Sequence, residues 1–256
     1  MLRIYKDHLN RQVEVPFPPL RIVSLVPSQT ELLADLGLDQ EVIGITKFCL
    51  HPESWFRNKT RIGGTKTLNL GKIQSLKPDL IIANKEENDQ SQISELMAEF
   101  PTWISDVRSL QDALSMIHSV SEITNRAERG AILRSKIRLR FENIPATVMS
   151  RTCAYLIWWQ PMMTVNSDTF IHDMLMYCGF KNVFGHRTDS RYPEISEEDL
   201  MDAKPDYILL SSEPFPFKEK HIQQLRQQFP HSQIRLVDGE NFSWYGSRLL
   251  HFQTLE

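Results

Sequence analysis

Two stretches of this sequence repeat one helix–turn–strand pattern, and this repetition is the feature that most restricts the fold. Residues 73–82 read IQSLKPDLII and residues 200–209 read LMDAKPDYIL, so that Pro205 lies 127 positions after Pro78. In a second matching pair, residues 33–44 and 174–185, Gly179 lies 142 positions after Gly37. Two copies in the same order, at unequal spacing, predict two related lobes with different insertions rather than a tight solenoid repeat.

Continuous apolar runs, such as residues 80–83, alternate with helical patterns along both halves of the chain. Such runs are typical of parallel strands that are buried on both faces. We therefore predict an α/β fold with two lobes, each a mostly parallel sheet flanked by helices. The lobes are predicted over residues 1–123 and 145–256, and one long backbone helix over residues 124–144 joins them. Gly130 within this helix costs about 1 kcal/mol relative to alanine, so packing must help to hold it.

The charge balance and the cysteines restrict the partners and the compartment. Lys plus Arg number 29 and Asp plus Glu 32, a net charge of -3, which argues against a nucleic-acid-binding protein, because such a protein needs a basic face to neutralise phosphates. No segment approaches the roughly 18 apolar residues that cross a bilayer, so no transmembrane segment is predicted. Three cysteines without paired spacing favour a reducing cytoplasm for the sequence as written. An export signal missing from this sequence would instead place the protein in the periplasm or make it a lipoprotein.

The loops that follow the predicted strands are the candidate ligand site, because ligands of open α/β sheets bind at the carboxyl ends of the strands. Ser28 follows the predicted strand 21–26, and Ser28 with Glu31 has the pattern of a capping box. In the N-terminal half the candidate residues are Ser28, Phe48, Cys49, His51, Thr65, Lys66, Asn84 and Lys85. In the C-terminal half they are Trp158, Trp159, Met163, Tyr192, Trp244 and Tyr245.

Aromatic side chains dominate the C-terminal set, which suits a flat and partly apolar ligand. The alternative is that these rings close the core between the sheet and its helices. For Trp158, at the end of a predicted strand, both interpretations stay open. Trp159 and Trp244 adjoin Gln160 and Ser243 in predicted loops, and we expect them to contact the ligand.

Cys49 and His51 could together bind a soft or borderline metal ion. Two ligands do not complete a site, however, and a free cysteine is usually a small buried apolar residue. We therefore predict no dedicated metal site and no intrinsic cofactor. The sequence also lacks a Gly-x-Ser-x-Gly motif and a phosphate-binding P-loop, so it predicts a protein without enzymatic activity.

Five stretches, residues 21–31, 61–65, 73–83, 192–198 and 238–250, together resemble the helical-backbone metal receptor superfamily. These are the substrate-binding proteins of ABC importers for cobalamin, haem and ferric siderophores, and the chain is most similar to the cobalamin-binding branch. The resemblance implies two lobes joined by one helix, with the ligand in the cleft between the lobes.

The resemblance also concerns individual pocket residues. Phe48 and Tyr192 match aromatic positions of the cobalamin pocket, and Met163 matches an apolar one. At Thr65 and Asn84 the cobalamin receptors present aromatic residues that this sequence lacks. The pocket is therefore similar in placement but altered in its lining.

A docking surface for a permease is implied in the same way. Importer-coupled relatives expose one acid on each lobe, and these acids pair with arginines of the permease. Glu198 matches the second acid, whereas the first falls at Gly71.

The function predicted from these observations is capture of a cobalamin-like, haem or ferric-chelate ligand, with an ABC permease as a possible partner. A cytoplasmic enzyme or delivery factor for a corrinoid or metal is the alternative that Cys49 and His51 suggest. An interaction module with a vestigial cleft is a third interpretation.

Overall fold

The computed structural model describes residues 1–145 and 151–255, which fall into two compact units. The first unit consists of Met1–Val107, Gln111–Leu139 and Tyr245–Leu250. The second consists of the described residues of Arg108–Leu110, Arg140–Trp244 and His251–Glu256. Residues 146–150 and 256 of the predicted C-terminal lobe lie outside the described residues, and the predicted domain boundaries stay a prediction.

The first unit is built on a five-stranded, all-parallel sheet with the strand order β5-β4-β3-β6-β7. An antiparallel hairpin of β1 and β2 precedes this sheet. The strands are β1 (Leu2–Lys6), β2 (Gln12–Pro16), β3 (Ile22–Ser24), β4 (Val42–Ile45), β5 (Thr60–Arg61), β6 (Leu80–Asn84) and β7 (Thr102–Ser105). The helices along this part of the chain are α1 (Pro27–Asp35), α2 (Glu53–Asn58), α3 (Leu70–Leu76), α4 (Gln90–Glu99), α5 (Leu110–Ile123) and α6 (Ala127–Glu142).

The second unit is built on a four-stranded, all-parallel sheet with the order β11-β10-β8-β9. Its strands are β8 (Arg151–Leu156), β9 (Phe180–Asn182), β10 (Tyr207–Ser211) and β11 (Gln233–Val237). Its helices are α7 (Phe170–Tyr177), α8 (Glu197–Ala203), α9 (Glu219–Gln228) and α10 (Gly239–Ser243). A 3₁₀ helix, Ser247–His251, follows them.

Strands β6 and β10, which lie inside their sheets, are buried along their whole length, as a sheet covered on both faces requires. All five residues of β6 and all five of β10 are buried. The predicted α/β class, with parallel sheets flanked by helices, is therefore confirmed.

The repeated segments α3–β6 and α8–β10 share their local structure. Each helix ends at a lysine in the left-handed conformation, Lys77 with φ 45° and Lys204 with φ 42°. The aspartate after the following proline then binds the strand beside it. Asp79 accepts hydrogen bonds from the backbone N–H groups of residues 20 and 21, both at 2.8 Å. Asp206 accepts from the backbone N–H and the hydroxyl of Thr152, both at 2.7 Å, and these bonds lower the pKa of its carboxyl.

Packing explains Gly130, which lies within α6. A Cβ atom on Gly130 would lie 2.1 Å from Ser121 Oγ and 2.3 Å from Ser121 Cβ of the preceding helix. The glycine therefore allows α5 and α6 to approach closely, which offsets its low helix propensity.

The predicted capping box of Ser28 and Glu31 was wrong. Helix α1 begins one residue earlier, at Pro27, and no side chain caps its first turn. A proline has no N–H group to satisfy and is favoured at the first helical position, so it starts the helix. Ser28 lies buried in the first turn, and Glu31 instead accepts two hydrogen bonds from the Arg248 guanidinium, at 2.9 and 2.7 Å.

Candidate ligand-binding site

In each sheet the strand order reverses beside the first strand of that sheet, and such reversals mark the ligand-binding crevice of open α/β folds. In the first unit β3 lies between β4 and β6. In the second unit β8 lies between β9 and β10. The carboxyl ends of these strands carry most of the residues that the sequence predicts for the site, and each unit is described separately below.

Asn84, the last residue of β6, is buried and bonded at both ends of its amide. Its Nδ2 donates to Ser105 Oγ at 3.0 Å and to the Ser105 carbonyl at 3.3 Å. Its Oδ1 accepts from the backbone N–H groups of Glu86 and Glu87 at 2.8 and 3.0 Å. With its donor and acceptor groups occupied by the protein, Asn84 shapes the loop after β6 rather than offering a free polar group.

The two lysines predicted for the site are also held by the protein. Lys66 Nζ donates to the carbonyls of Glu86 and Asn88, at 2.5 and 3.3 Å. Lys85 Nζ forms an ion pair of 3.3 Å with Asp106, whose carboxylate is 5% exposed. Both ammonium groups therefore stabilise the loop after β6 and its surroundings.

Cys49 is a buried residue of the core rather than an accessible thiol. Its Sγ lies 3.1 Å from the hydroxyl oxygens of both Thr30 and Thr46. Burial raises the pKa of this thiol, which favours the neutral form over the thiolate that binds metals or attacks substrates. His51 is half-buried two residues further on. In residues 1–145 and 151–255 no group of three or more His, Cys, Asp or Glu could hold a metal ion.

The other residues predicted in the first unit differ in exposure. Phe48 is half exposed, with the Lys47 ammonium 5.1 Å from its ring centroid. A Cβ atom on Gly64 would lie 3.1 Å from the Phe48 ring, so the glycine makes room for it. Thr65 is half-buried, and its carbonyl accepts from Asn88 Nδ2 at 3.1 Å.

The carboxyl end of β8 in the second unit opens into a cavity of about 460 Å³. Trp158 and Trp159, which follow this strand, line it. The remaining lining residues are Gln160, Phe215, Lys220, His221 and Gln224. Trp158 is 38% exposed and donates from its indole to the Gln160 carbonyl at 3.2 Å, so it lies at the surface of the cavity rather than in the core.

An aromatic cluster forms one side of this cavity. The ring centroid of His221 lies 5.3 Å from that of Trp159 and 5.4 Å from those of Phe215 and Phe217. Trp158 contacts Phe215 edge-on at 5.6 Å. Burial, together with the charge of nearby lysines, lowers the pKa of His221, which keeps its ring neutral. The cluster presents a stiff apolar surface of the kind that binds a flat ligand.

Met163 lies between β8 and α7, and Tyr192 lies between β9 and α8. Met163 pairs with Trp158 and with Glu194 in two antiparallel bridges. It is half-buried, as is Tyr192, whose backbone N–H donates to Ser190 Oγ at 3.1 Å.

Trp244 and Tyr245 are both buried, and they belong to different units: Trp244 to the second and Tyr245 to the first. The Trp244 indole donates to Glu213 Oε1 at 2.9 Å, and Ser243 Oγ donates to the same oxygen at 2.7 Å. Burial raises the pKa of the Glu213 carboxyl. Trp244 therefore holds a half-buried acid in the loop after β10.

Comparison with known proteins shows the family of this chain. The model of the periplasmic binding protein family matches residues 22–232. The chain belongs to this family. The vitamin B12-binding protein of Photorhabdus laumondii is 27% identical over 221 residues, which are 85% of this chain and 78% of that protein.

Solved structures of this kind share the fold. The periplasmic vitamin B12-binding protein of Vibrio cholerae has a TM-score of 0.74 at 21% identity, over 92% of this chain and 94% of that one. The periplasmic haem-binding protein of the same organism has a TM-score of 0.75 at 19% identity, over 91% and 95%.

Three residues that line this cavity were missed by the sequence prediction: Lys220, His221 and Gln224. The loop 213–215 is visible in the sequence as a segment after a buried strand, but α9 beyond it carries no motif. The signal that could have found these residues is their position in the sequence, because the first turns of a helix that follows such a loop lie at the carboxyl edge of the sheet.

Glu198 is exposed in the first turn of α8, where Ser196 and Asp199 form a capping box. Gly71 occupies the same place in α3 of the first unit and is also exposed. Among the helices that the structure describes, none is both long and apolar enough to span a bilayer.

Proposed function

We propose that the protein captures a cobalamin-like, haem or ferric-chelate ligand and delivers it to an ABC importer. The observation that carries this proposal is the aromatic cavity of about 460 Å³ at the carboxyl end of β8. Membership of the periplasmic binding protein family supports it, as do relatives named for vitamin B12 and haem. The cleft between the two predicted lobes is part of this proposal.

Delivery requires a permease and a compartment, and both belong to the proposal. Exposed Glu198 at the start of α8 is the proposed contact with the permease. The family is periplasmic by name, and we propose a periplasmic or lipoprotein location, which cell fractionation tests.

The alternative of a corrinoid- or metal-handling enzyme gains no support from the site. It was suggested by Cys49 and His51, but Cys49 is fully buried with its thiol pKa raised. A thiol in this environment is a poor nucleophile and a poor metal ligand.

A titration tests the proposal directly. The protein is titrated with cobalamin, cobinamide, haem and several ferric siderophores while tryptophan fluorescence and the visible spectrum of the ligand are followed. Saturable quenching by one of these classes is expected, since Trp158 and Trp159 line the cavity.

Two matched variants locate the binding. Phe215→Leu should weaken binding about tenfold, which corresponds to about 1.4 kcal/mol. Phe56→Leu is the control, because Phe56 is also half-buried but lies on α2 under the Arg61 guanidinium. If none of these ligands changed the tryptophan fluorescence or the thermal stability of the protein, the proposed function would be overturned.

A further inference from the structure

The hydrogen bonds of His221 determine which of its nitrogens carries the proton. The backbone N–H of Lys218 donates to His221 Nδ1 at 2.8 Å. An N–H donor requires a lone pair on Nδ1, so the neutral ring carries its proton on Nε2. Neither nitrogen then has a free lone pair for a metal ion. His221 is thus a hydrogen-bond donor in the cavity wall and not a metal ligand.

The other polar groups of the cavity are also donors or neutral amides. Lys220 is exposed in the first turn of α9, and across the described ranges no carboxylate lies within 4.0 Å of its Nζ. Gln160 and Gln224 contribute amides, and the lining contains no Asp or Glu. A cation and a neutral imidazole donor beside an aromatic surface complement an anion attached to an apolar ring system.

We propose that this cavity binds a ligand whose rigid apolar ring system carries a carboxylate, and that Lys220 pairs with this carboxylate. Any metal in the ligand is held by the ligand alone, because His221 offers no free lone pair to it and the other acceptors of the lining, the amide oxygens of Gln160 and Gln224, are poor ligands of a corrin or porphyrin metal. This inference rests on the proposed function and names the class of ligand. An acidic corrinoid and a porphyrin both have the required chemistry.

Two matched pairs of probes test the proposal. Dicyanocobyrinic acid and dicyanocobinamide share a corrin ring whose metal has both axial positions filled, but their side chains are acids in one and amides in the other. Protoporphyrin IX and its dimethyl ester differ only in two side chains, which are carboxylates in one and uncharged methyl esters in the other. Dissociation constants are measured by tryptophan quenching. The acid of at least one pair should bind at least tenfold more tightly than its uncharged counterpart. The pair that shows this preference identifies the ring system, corrin or porphyrin, that the cavity binds.

Substitution of one lysine assigns the effect. Lys220→Gln should remove most of the preference for the acid and leave the ester or amide unchanged. Lys204→Gln is the control, since Lys204 is exposed in the turn before β10, at the opposite edge of the same sheet.

The role of the metal is tested with iron protoporphyrin. The iron form and the metal-free form should bind within about threefold of each other. A tenfold preference for the iron form would show that the protein ligates the metal and would overturn that part of the inference. Equal binding of acids and uncharged forms, unchanged in Lys220→Gln, would overturn the carboxylate site while the proposed function stands. No binding of any probe would overturn both.

Discussion

The last residues of β6 and β10 occupy the same place in the two copies of the repeated segment, yet they build different edges. Asn84 ends β6 and uses its amide to bind Ser105, Glu86 and Glu87. Ser211 ends β10, and its shorter side chain donates to the Glu213 carbonyl at 2.6 Å and accepts from the Tyr155 hydroxyl at 3.1 Å. A longer side chain at one position thus closes the first edge with internal hydrogen bonds.

The consequence is visible in the loops beyond these residues. After β6, Lys66 and Asn88 tie the loop to the residues around it. After β10, the chain leads through Phe215 to α9 and leaves the aromatic cavity open. The repeat therefore fixes the scaffold of both units, while single side chains at the strand ends decide how many polar groups of each edge are engaged within the protein.

Removing the two side chains should separate their roles. Asn84→Ala is expected to lower the free energy of unfolding by about 2 kcal/mol, because the half-buried N–H groups of Glu86 and Glu87 lose their acceptor and Ser105 loses a donor. Ser211→Ala should cost about 1 kcal/mol, since fewer groups depend on it. Urea denaturation measures both, and equal losses would contradict the difference described here.

Glu213, which follows Ser211, should make the stability of the protein depend on pH. Burial raises the pKa of Glu213, so this group stabilises the fold below its unfolded pKa of about 4.5, and the contribution is lost as the pH rises through the folded value. Glu213→Gln should raise stability at pH 7 by less than about 1 kcal/mol, because Ser243 and Trp244 bind the charged form better than an amide.

At pH 4 the same substitution should have little effect. Thermal unfolding between pH 4 and pH 7 measures the difference between wild type and variant. If Glu213→Gln stabilised the protein more at pH 4 than at pH 7, the pH dependence would have the opposite sign and could not be assigned to Glu213.

A small effect on stability is also expected at the first helical turns of the two copies. A Cβ atom on Gly71 would meet only Asn69 Oδ1, at 3.8 Å, so a side chain fits there. Gly71→Glu should stabilise the protein by about 1 kcal/mol through helix propensity and its charge at the helix N-terminus. Glu198→Gly should lose a similar amount.

Substitutions at the same two positions test docking with the proposed permease. Glu198→Ala should weaken the binding of the loaded protein to the permease, and Gly71→Glu should strengthen it. If neither substitution changed the binding to the permease, Glu198 would not be part of the proposed contact.

Much of the fold could be predicted because its determinants are local in the sequence. The Lys-Pro-Asp turns follow helices at a fixed distance, and the apolar runs 80–83 and 207–210 predict buried parallel strands. The capping box at Ser196 depends on a residue three positions away. The exception, Ser28, shows the limit of such rules, since the neighbouring Pro27 shifted the start of α1.

The lining of the site could not be predicted in the same way. Cys49, Lys66 and Asn84 follow strands as candidates should, but their partners at Thr30, residues 86–88 and Ser105 engage them inside the first unit. Conversely, Lys220 and His221 join Trp159 at the cavity although about sixty residues separate them in the chain.

The sequence by itself determined the parallel sheets, their capped helices and the repetition of one helix–turn–strand pattern in both units. Hydrophobic periodicity and turn chemistry act over only a few residues, so they can be read from the sequence. Only the tertiary structure decided which polar and aromatic groups at the strand ends stay available to a ligand. That choice depends on hydrogen bonds and ring contacts between residues distant in the chain, since a buried polar group binds whichever partner the fold brings within reach.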